Sequence, residues 1–220
     1  MSLLPEVAAR TFKRLGKLKE FRNIHKMITK KLGRLTHPIE RAMFVHKKVE
    51  QFNEEVFSDP IVAENIKCKE GCNMCCHTQV SATQDEAVLL SDLISKGHPI
   101  DWTRLHKQKQ AGNSHAEWYK LSHADRACIF LDKEGSCSIY EFRPLVCRTN
   151  NVISDPANCD TTLHNTPTIN LINTFKSDIA THAAFTYSNG GVMPKIVWEA
   201  LERINKVPLI YHSRPPQKNP

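Results

Sequence analysis

Cys68, Cys72, Cys75 and Cys76 stand within nine residues of one another, and four more cysteines follow at wide intervals, Cys128, Cys137, Cys147 and Cys159. Soft sulfur donors offered from one tight loop and from separated later segments suit zinc, or iron with sulfide. Eight thiolates could complete two tetrahedral sites, or one iron–sulfur cluster with ligands to spare. Neighbouring side chains diverge on helical or extended backbone, so the adjacent Cys75 and Cys76 are expected to serve two centres, or to leave one thiol over. Among the nearby cations Lys67, Lys69, Arg126, Arg143 and Arg148, which would favour thiolate over thiol, Arg143 and Arg148 are the candidates for supporting the liganded sulfurs. His77 is a candidate substitute ligand, although a histidine beside a metal loop more often lies outside the ligand set.

An even cysteine count also suits a disulfide framework. Such scaffolds belong mostly to secreted chains shorter than about 100 residues. This chain has 220 residues and 40% apolar content, enough for a core of its own. It shows no secretory signal pattern, and adjacent cysteines could bridge each other only through a strained ring. A reducing, cytoplasmic setting is therefore expected, with no transmembrane segment, since no apolar run approaches the roughly 18 residues a span requires.

The elements that must position the cysteines read as mainly helical. Residues 1–36 form a basic amphipathic segment, interrupted at Gly16 and ended near Gly33, and residues 37–205 a single helical domain. Ile39 to Phe57 repeats with helical period after Pro38, and Asp59-Pro60 redirects the chain. Thr83 with Glu86 makes a capping box for a helix ending at Gly97, and Asp101 caps another from Trp102. Cys128 to Leu131 and Ser136 to Tyr140, joined by a turn containing Gly135, predict a small β-hairpin bringing Cys128 and Cys137 together. Arg143-Pro144 opens a short helical turn carrying Cys147 and Arg148. A helix over 168–187, a break at Gly190-Gly191 and a last helix from Pro194 complete the pattern, and residues 206–220 read as a disordered tail.

Charge is concentrated at one end. Residues 1–50 hold 13 lysines and arginines against 4 acidic residues, a balance of +9 in a chain whose total is +7, so residues 51–220 carry −2. The basic helix could meet an acidic partner, an anionic membrane surface or nucleic acid, or simply be a solvated face packed on the core. No specific nucleic-acid motif accompanies it.

The run Cys-x3-Cys-x2-Cys-Cys at 68–76, with Cys128-Ile-Phe-Leu, Gly135-Ser-Cys137-Ser-Ile-Tyr140, Arg143-Pro144 and Cys147-Arg148, resembles the YkgJ-like cysteine-cluster family over residues 66–160. The resemblance implies zinc or iron chelation through the eight cysteines, with Cys159 matching the family's last, and no defined reaction for most members. The flagellin lysine N-methylases carry a similar cluster in a longer chain. The expected function is thus metal binding, zinc or an iron–sulfur centre, in a structural or redox role. An iron–sulfur enzyme of redox or alkyl-transfer type is the alternative. The spacing Cys68-x3-Cys72-x2-Cys75 matches the radical S-adenosylmethionine loop, yet the parallel strand–helix repeats of those enzymes are missing. An interaction module using the basic helix is the third reading.

Overall fold

Helix α10 (Phe175–Ser188) is buried along most of its length, and three earlier helices pack on it: α1 (Glu6–Leu15), α2 (Lys19–Leu32) and α3 (Pro38–Phe57). The computed structural model describes residues 4–162 and 168–211. Ile28 and Leu32 of α2, Val45 and Val49 of α3, Leu145, and Ala180, Ala183 and Ala184 of α10 form one apolar cluster. Small residues on α10 let its neighbours approach closely. The basic segment is therefore two helices rather than one, parted at 16–18, and its apolar side belongs to the core.

A second cluster lies between α5 (Gln84–Ser95), α6 (Trp102–Ala111) and α11 (Met193–Arg203), where Leu90, Leu105, Phe130, Trp198 and Leu201 interlock. Between the clusters runs a two-stranded antiparallel sheet, β1 (Ser81–Thr83) with β2 (Gly190–Val192), in the register Ser81 to Val192 and Thr83 to Gly190. Each strand leads directly into a helix, β1 into α5 and β2 into α11. The strands meet closely because residue 190 is glycine: a Cβ there would lie 2.4 Å from the Phe185 ring and 2.9 Å from the Ala82 carbonyl. Short helices α4 (Pro60–Asn65), α7 (His115–Lys120), α8 (His123–Arg126) and α9 (Leu145–Thr149) complete a mainly helical protein. Among the described residues no helix is long and apolar enough to cross a membrane.

Local signals translated directly. Thr83 and Glu86 form the capping box of α5, Asp101 accepts from the Arg104 N–H at 2.8 Å at the start of α6, and Asp59 caps α4. Three expectations are corrected. The hairpin over 128–140 contracts to one antiparallel bridge, Leu131 with Cys137, flanked by bonds from Asp132 N–H to the Ser136 carbonyl and from Ser138 N–H to the Phe130 carbonyl, both at 2.9 Å. Residues 168–174 are not helical. Leu171 bridges Val152, and Ile172 N–H donates to the Asn151 carbonyl at 2.8 Å, so the helix begins only at Phe175. Of the segment expected as a tail, Val207 is buried and Tyr211 bonds Thr103 at 3.0 Å, while 212–220 lie outside the described residues.

One buried acid makes the docking of α1 sensitive to pH. Asp178 of α10 accepts from Thr11 Oγ1 at 2.8 Å, and burial pushes its carboxyl up to about 6 against the opposing pull of that bond. A folded-state value above the unfolded one means stability is full below the unfolded value and lost as pH rises through about 6. The shift corresponds to about 3 kcal/mol at neutral pH. Asp178→Asn keeps the acceptor and removes the charge, at the cost of an unpaired amide. It should gain about 1 kcal/mol at about pH 8 and nothing below about pH 4, read by urea denaturation at both.

Candidate metal centre

All eight cysteines line a single cavity of about 610 Å³. Four segments deliver them. The loop before β1 brings Cys68, Cys72, Cys75 and Cys76, the 127–140 loop brings Cys128 and Cys137, α9 brings Cys147, and the 3₁₀ turn Pro156–Cys159 brings Cys159. None is in a disulfide.

Protein-only bonds hold the segments together. Lys67 N–H donates to the Val152 carbonyl at 2.9 Å, and Val152 N–H donates to Cys68 Sγ at 3.2 Å. Cys128 N–H donates to the Cys76 carbonyl at 2.8 Å. Asn73 Nδ2 donates to the Gly135 carbonyl at 2.9 Å, and Gly135 turns with φ of 77° where a Cβ would lie 2.5 Å from that same nitrogen. The four-cysteine loop is thus latched to the turn between Cys128 and Cys137 before any ligand is counted.

Glu86 sets the start of α9, and with it Cys147. Its Oε1 accepts from Leu145 N–H at 2.7 Å and from His46 Nε2 at 2.9 Å, while Oε2 accepts from Thr83 N–H at 2.8 Å and Thr83 Oγ1 at 3.0 Å. Since a carboxylate only accepts, the His46 tautomer is assigned with its proton on Nε2. Burial works against the Glu86 charge, yet His46 and the donors hold its carboxyl below the usual range. Further along α9, Arg148 is buried and bonds Glu50, the Glu141 carbonyl and, at 2.9 Å, the Arg143 carbonyl.

The two arginines expected beside the sulfurs therefore divide. Arg148 clamps the 141–143 turn and does not line the cavity. Arg143 does line it, 4.1 Å over the Tyr140 ring, with Glu50 at 3.9 Å from one terminal nitrogen and its buried Nε without a partner among the described residues. Lys69 also lines the cavity, whereas Lys67 and Arg126 do not. His77 is likewise outside. It stacks on His123 at 3.8 Å, and its carbonyl accepts from Trp118 Nε1 at 3.2 Å.

Burial disfavours the thiolate at Cys68, Cys128, Cys137, Cys147 and Cys159, whereas Cys75 is held below its ordinary value. Burial pushes Cys128 up to about 12 and Cys159 up to about 11, and it raises Cys68, Cys137 and Cys147. Against burial act the N–H donors to Cys68, Cys128 and Cys137, the latter two each coming from the residue two positions ahead. The charge of Arg143 pulls Cys68, Cys75, Cys137 and Cys147 down. Cys75 and Cys76 do not diverge as expected. Both line the cavity from one tight turn, where their mutual contact lowers Cys75 and raises Cys76.

Asn150 escaped the sequence reading. Its side chain bonds Cys75 and its carbonyl accepts from Cys68 Sγ at 3.5 Å. An asparagine three residues past a cysteine carries no distinctive signal, because its role depends on a loop more than seventy residues earlier in the chain.

As a donor set the cavity fits a soft or borderline metal: eight unpaired thiols, N–H groups aimed at sulfur, and a guanidinium in the wall. The sulfurs stand around the wall rather than on a point. Among the described residues no three cysteine, histidine, aspartate or glutamate side chains are gathered closely enough to hold one ion. Residues 67–169 match the family model CxxCxxCC, described as "Putative zinc- or iron-chelating domain". No curated protein and no solved structure matches the chain.

Proposed function

With residues 67–169 matching a zinc- or iron-chelating domain, we propose that the eight cysteines hold zinc or an iron–sulfur centre that ties the four segments together, in a structural or redox role. The convergence of every cysteine of the chain on one cavity carries this reading. Eight thiols distributed by chance over a helical protein would be scattered through its core as small apolar side chains. A bound metal would supply the positive charge that the buried thiols need in order to ionise, so uptake would release protons. The residues' own part is then defined: backbone N–H groups and Arg143 stabilise the sulfurs, Asn150 orients Cys75, and Glu86 positions the helix that carries Cys147.

The spread of sulfurs around the wall supports a centre completed by a small inward movement of the loops. Protein purified without oxygen should retain metal. A colourless preparation with about two zinc ions per chain supports two four-thiolate sites. A brown preparation containing iron and sulfide supports a cluster. Metal-free protein that takes up neither zinc nor iron after reconstitution overturns the reading.

The size of the cavity favours a second reading, in which the centre acts on a small molecule. A volume of about 610 Å³ lies within the range of small-molecule sites, and Phe130, Ile139 and Tyr119 line it along with Arg143. Redox or alkyl-transfer chemistry at such a centre is the enzyme alternative.

A further inference from the structure

The outer face of α2 carries a charge that neither the fold nor the metal centre uses. Lys19, Arg22, Lys26, Lys30 and Lys31, with Arg34 in the turn that follows, are all exposed. None of these side chains makes an ion pair or hydrogen bond among the described residues, although Glu20 on the same helix pairs with Lys176 at 3.4 Å. Arg22, Lys26 and Lys30 recur every four residues, which places them on one ridge about 6 Å apart along the axis. Like charges at that spacing repel and weaken a helix. Lys19 and Arg22 also sit in the first turn, at the positive end of the helix dipole, where a cation is disfavoured, and only Lys30 and Lys31 are placed where the dipole favours them. Helix stability does not account for the ridge.

A cleft opens at the end of the ridge. It is lined by Met27, Phe44, Lys30, Lys31 and Arg34, with a volume of about 380 Å³, so an apolar floor is walled by three cations. A phosphate-linked chain of planar bases matches that arrangement, with phosphates along the ridge and one base over Phe44 and Met27. A membrane surface matches less well. A helix that lies on a bilayer inserts its apolar side, and here Ile28 and Leu32 are fully buried in the protein core with Ile24 packed on them.

We propose that the outer face of α2, together with the Met27–Phe44 cleft, binds single-stranded nucleic acid without reading its sequence. This site is independent of the cysteine cavity. The absence of a base-reading motif agrees with it, because contacts to phosphates and one stacked ring carry no sequence code.

Fluorescence anisotropy on the full chain tests the proposal, with labelled oligo(U) and oligo(dT) of about 20 nucleotides in a salt series starting at about 50 mM. Both should bind, with a slope of log affinity against log salt near −3 for about four phosphates neutralised. Lys26→Glu combined with Lys30→Glu should weaken binding at least about tenfold at the lowest salt and flatten the slope, with helical circular dichroism unchanged. Phe44→Leu keeps the apolar volume and removes the ring, so it should weaken the oligonucleotides several-fold while leaving binding of inorganic polyphosphate as it was. No binding at about 50 mM salt overturns the proposal. So does affinity indifferent to the double charge reversal, or tight binding to phosphatidylserine vesicles without binding to either oligonucleotide. An unchanged affinity in Phe44→Leu overturns the seating of a base in the cleft. Metal content is measured in parallel, so loss of the centre and loss of nucleic-acid binding are read separately.

Discussion

Cys147→Ala should unfold far more easily than the wild-type protein when metal is present, and almost as easily as the wild type when metal has been removed. Alanine leaves a small void in place of a half-buried sulfur, which on packing grounds costs about 1 kcal/mol at most. Ligation is a much larger quantity. A ligand present at about a thousand times its dissociation constant stabilises the folded state by about 4 kcal/mol, and structural zinc sites bind far more tightly than that condition requires. Urea denaturation of both proteins, loaded and treated with chelator, separates the two effects. Equal losses in both conditions would show that Cys147 only fills space. Alanine is the informative substitution because serine would keep a polar oxygen at the cavity wall, where it could itself contact a metal. The same comparison at Cys72 or Cys159, on other segments, asks whether the four segments belong to one linked system.

Glu86→Ala should cost about 4 kcal/mol at neutral pH, the range for breaking a buried hydrogen-bonded charge. It strips acceptors from Thr83, Leu145 and His46 at once, and so loosens the cap of α5, the start of α9 and the contact with α3 together. His46 Nδ1 already lacks a partner among the described residues, so removing the acceptor from Nε2 leaves the ring with none of them. The acid response follows from the depressed carboxyl. A folded value below the unfolded one means the contribution is present above the unfolded value of about 4.5 and lost as pH falls through the folded value. Wild type and variant should therefore converge in stability under acid, as read by denaturant titration down to about pH 3. Because α9 carries Cys147, the variant should also bind metal more weakly than any surface substitution does.

Elements defined by their own residues were legible from the sequence. Pro38 and the apolar repeat through Phe57 gave α3, Thr83 and Glu86 gave the cap of α5, and Asp101 gave the start of α6. Long-range bonds defeated the rest. The alternation in 128–140 suits a hairpin, but pairing stops at one bridge with its two flanking bonds, and Tyr140–Phe142 curl into a 3₁₀ turn. The apolar positions of 168–174 suit a helix, but pairing with 151–153 draws them out straight. Cysteine spacing named the eight thiols that stand among the residues lining the cavity. It could not show that Arg148 turns away while Arg143 lines the cavity, because Arg148 is held by Glu50, almost one hundred residues earlier, and by the Glu141 and Arg143 carbonyls. Nor could it show that Cys75 and Cys76 line one cavity together, since the tight turn carrying both is held by Cys128 and Thr78.

The latches around the cavity join Lys67 and Cys68 to Val152, Cys76 to Cys128, and Asn73 to Gly135, and they use only groups of the chain itself. A small finger folds around its ion while the chain is still short. Here the partners of Cys68 lie more than eighty residues further on, so the site cannot exist until nearly the whole domain has been synthesised and has collapsed. The frame that presents the thiols is therefore a property of the folded polypeptide, closed by its own hydrogen bonds across the length of the domain.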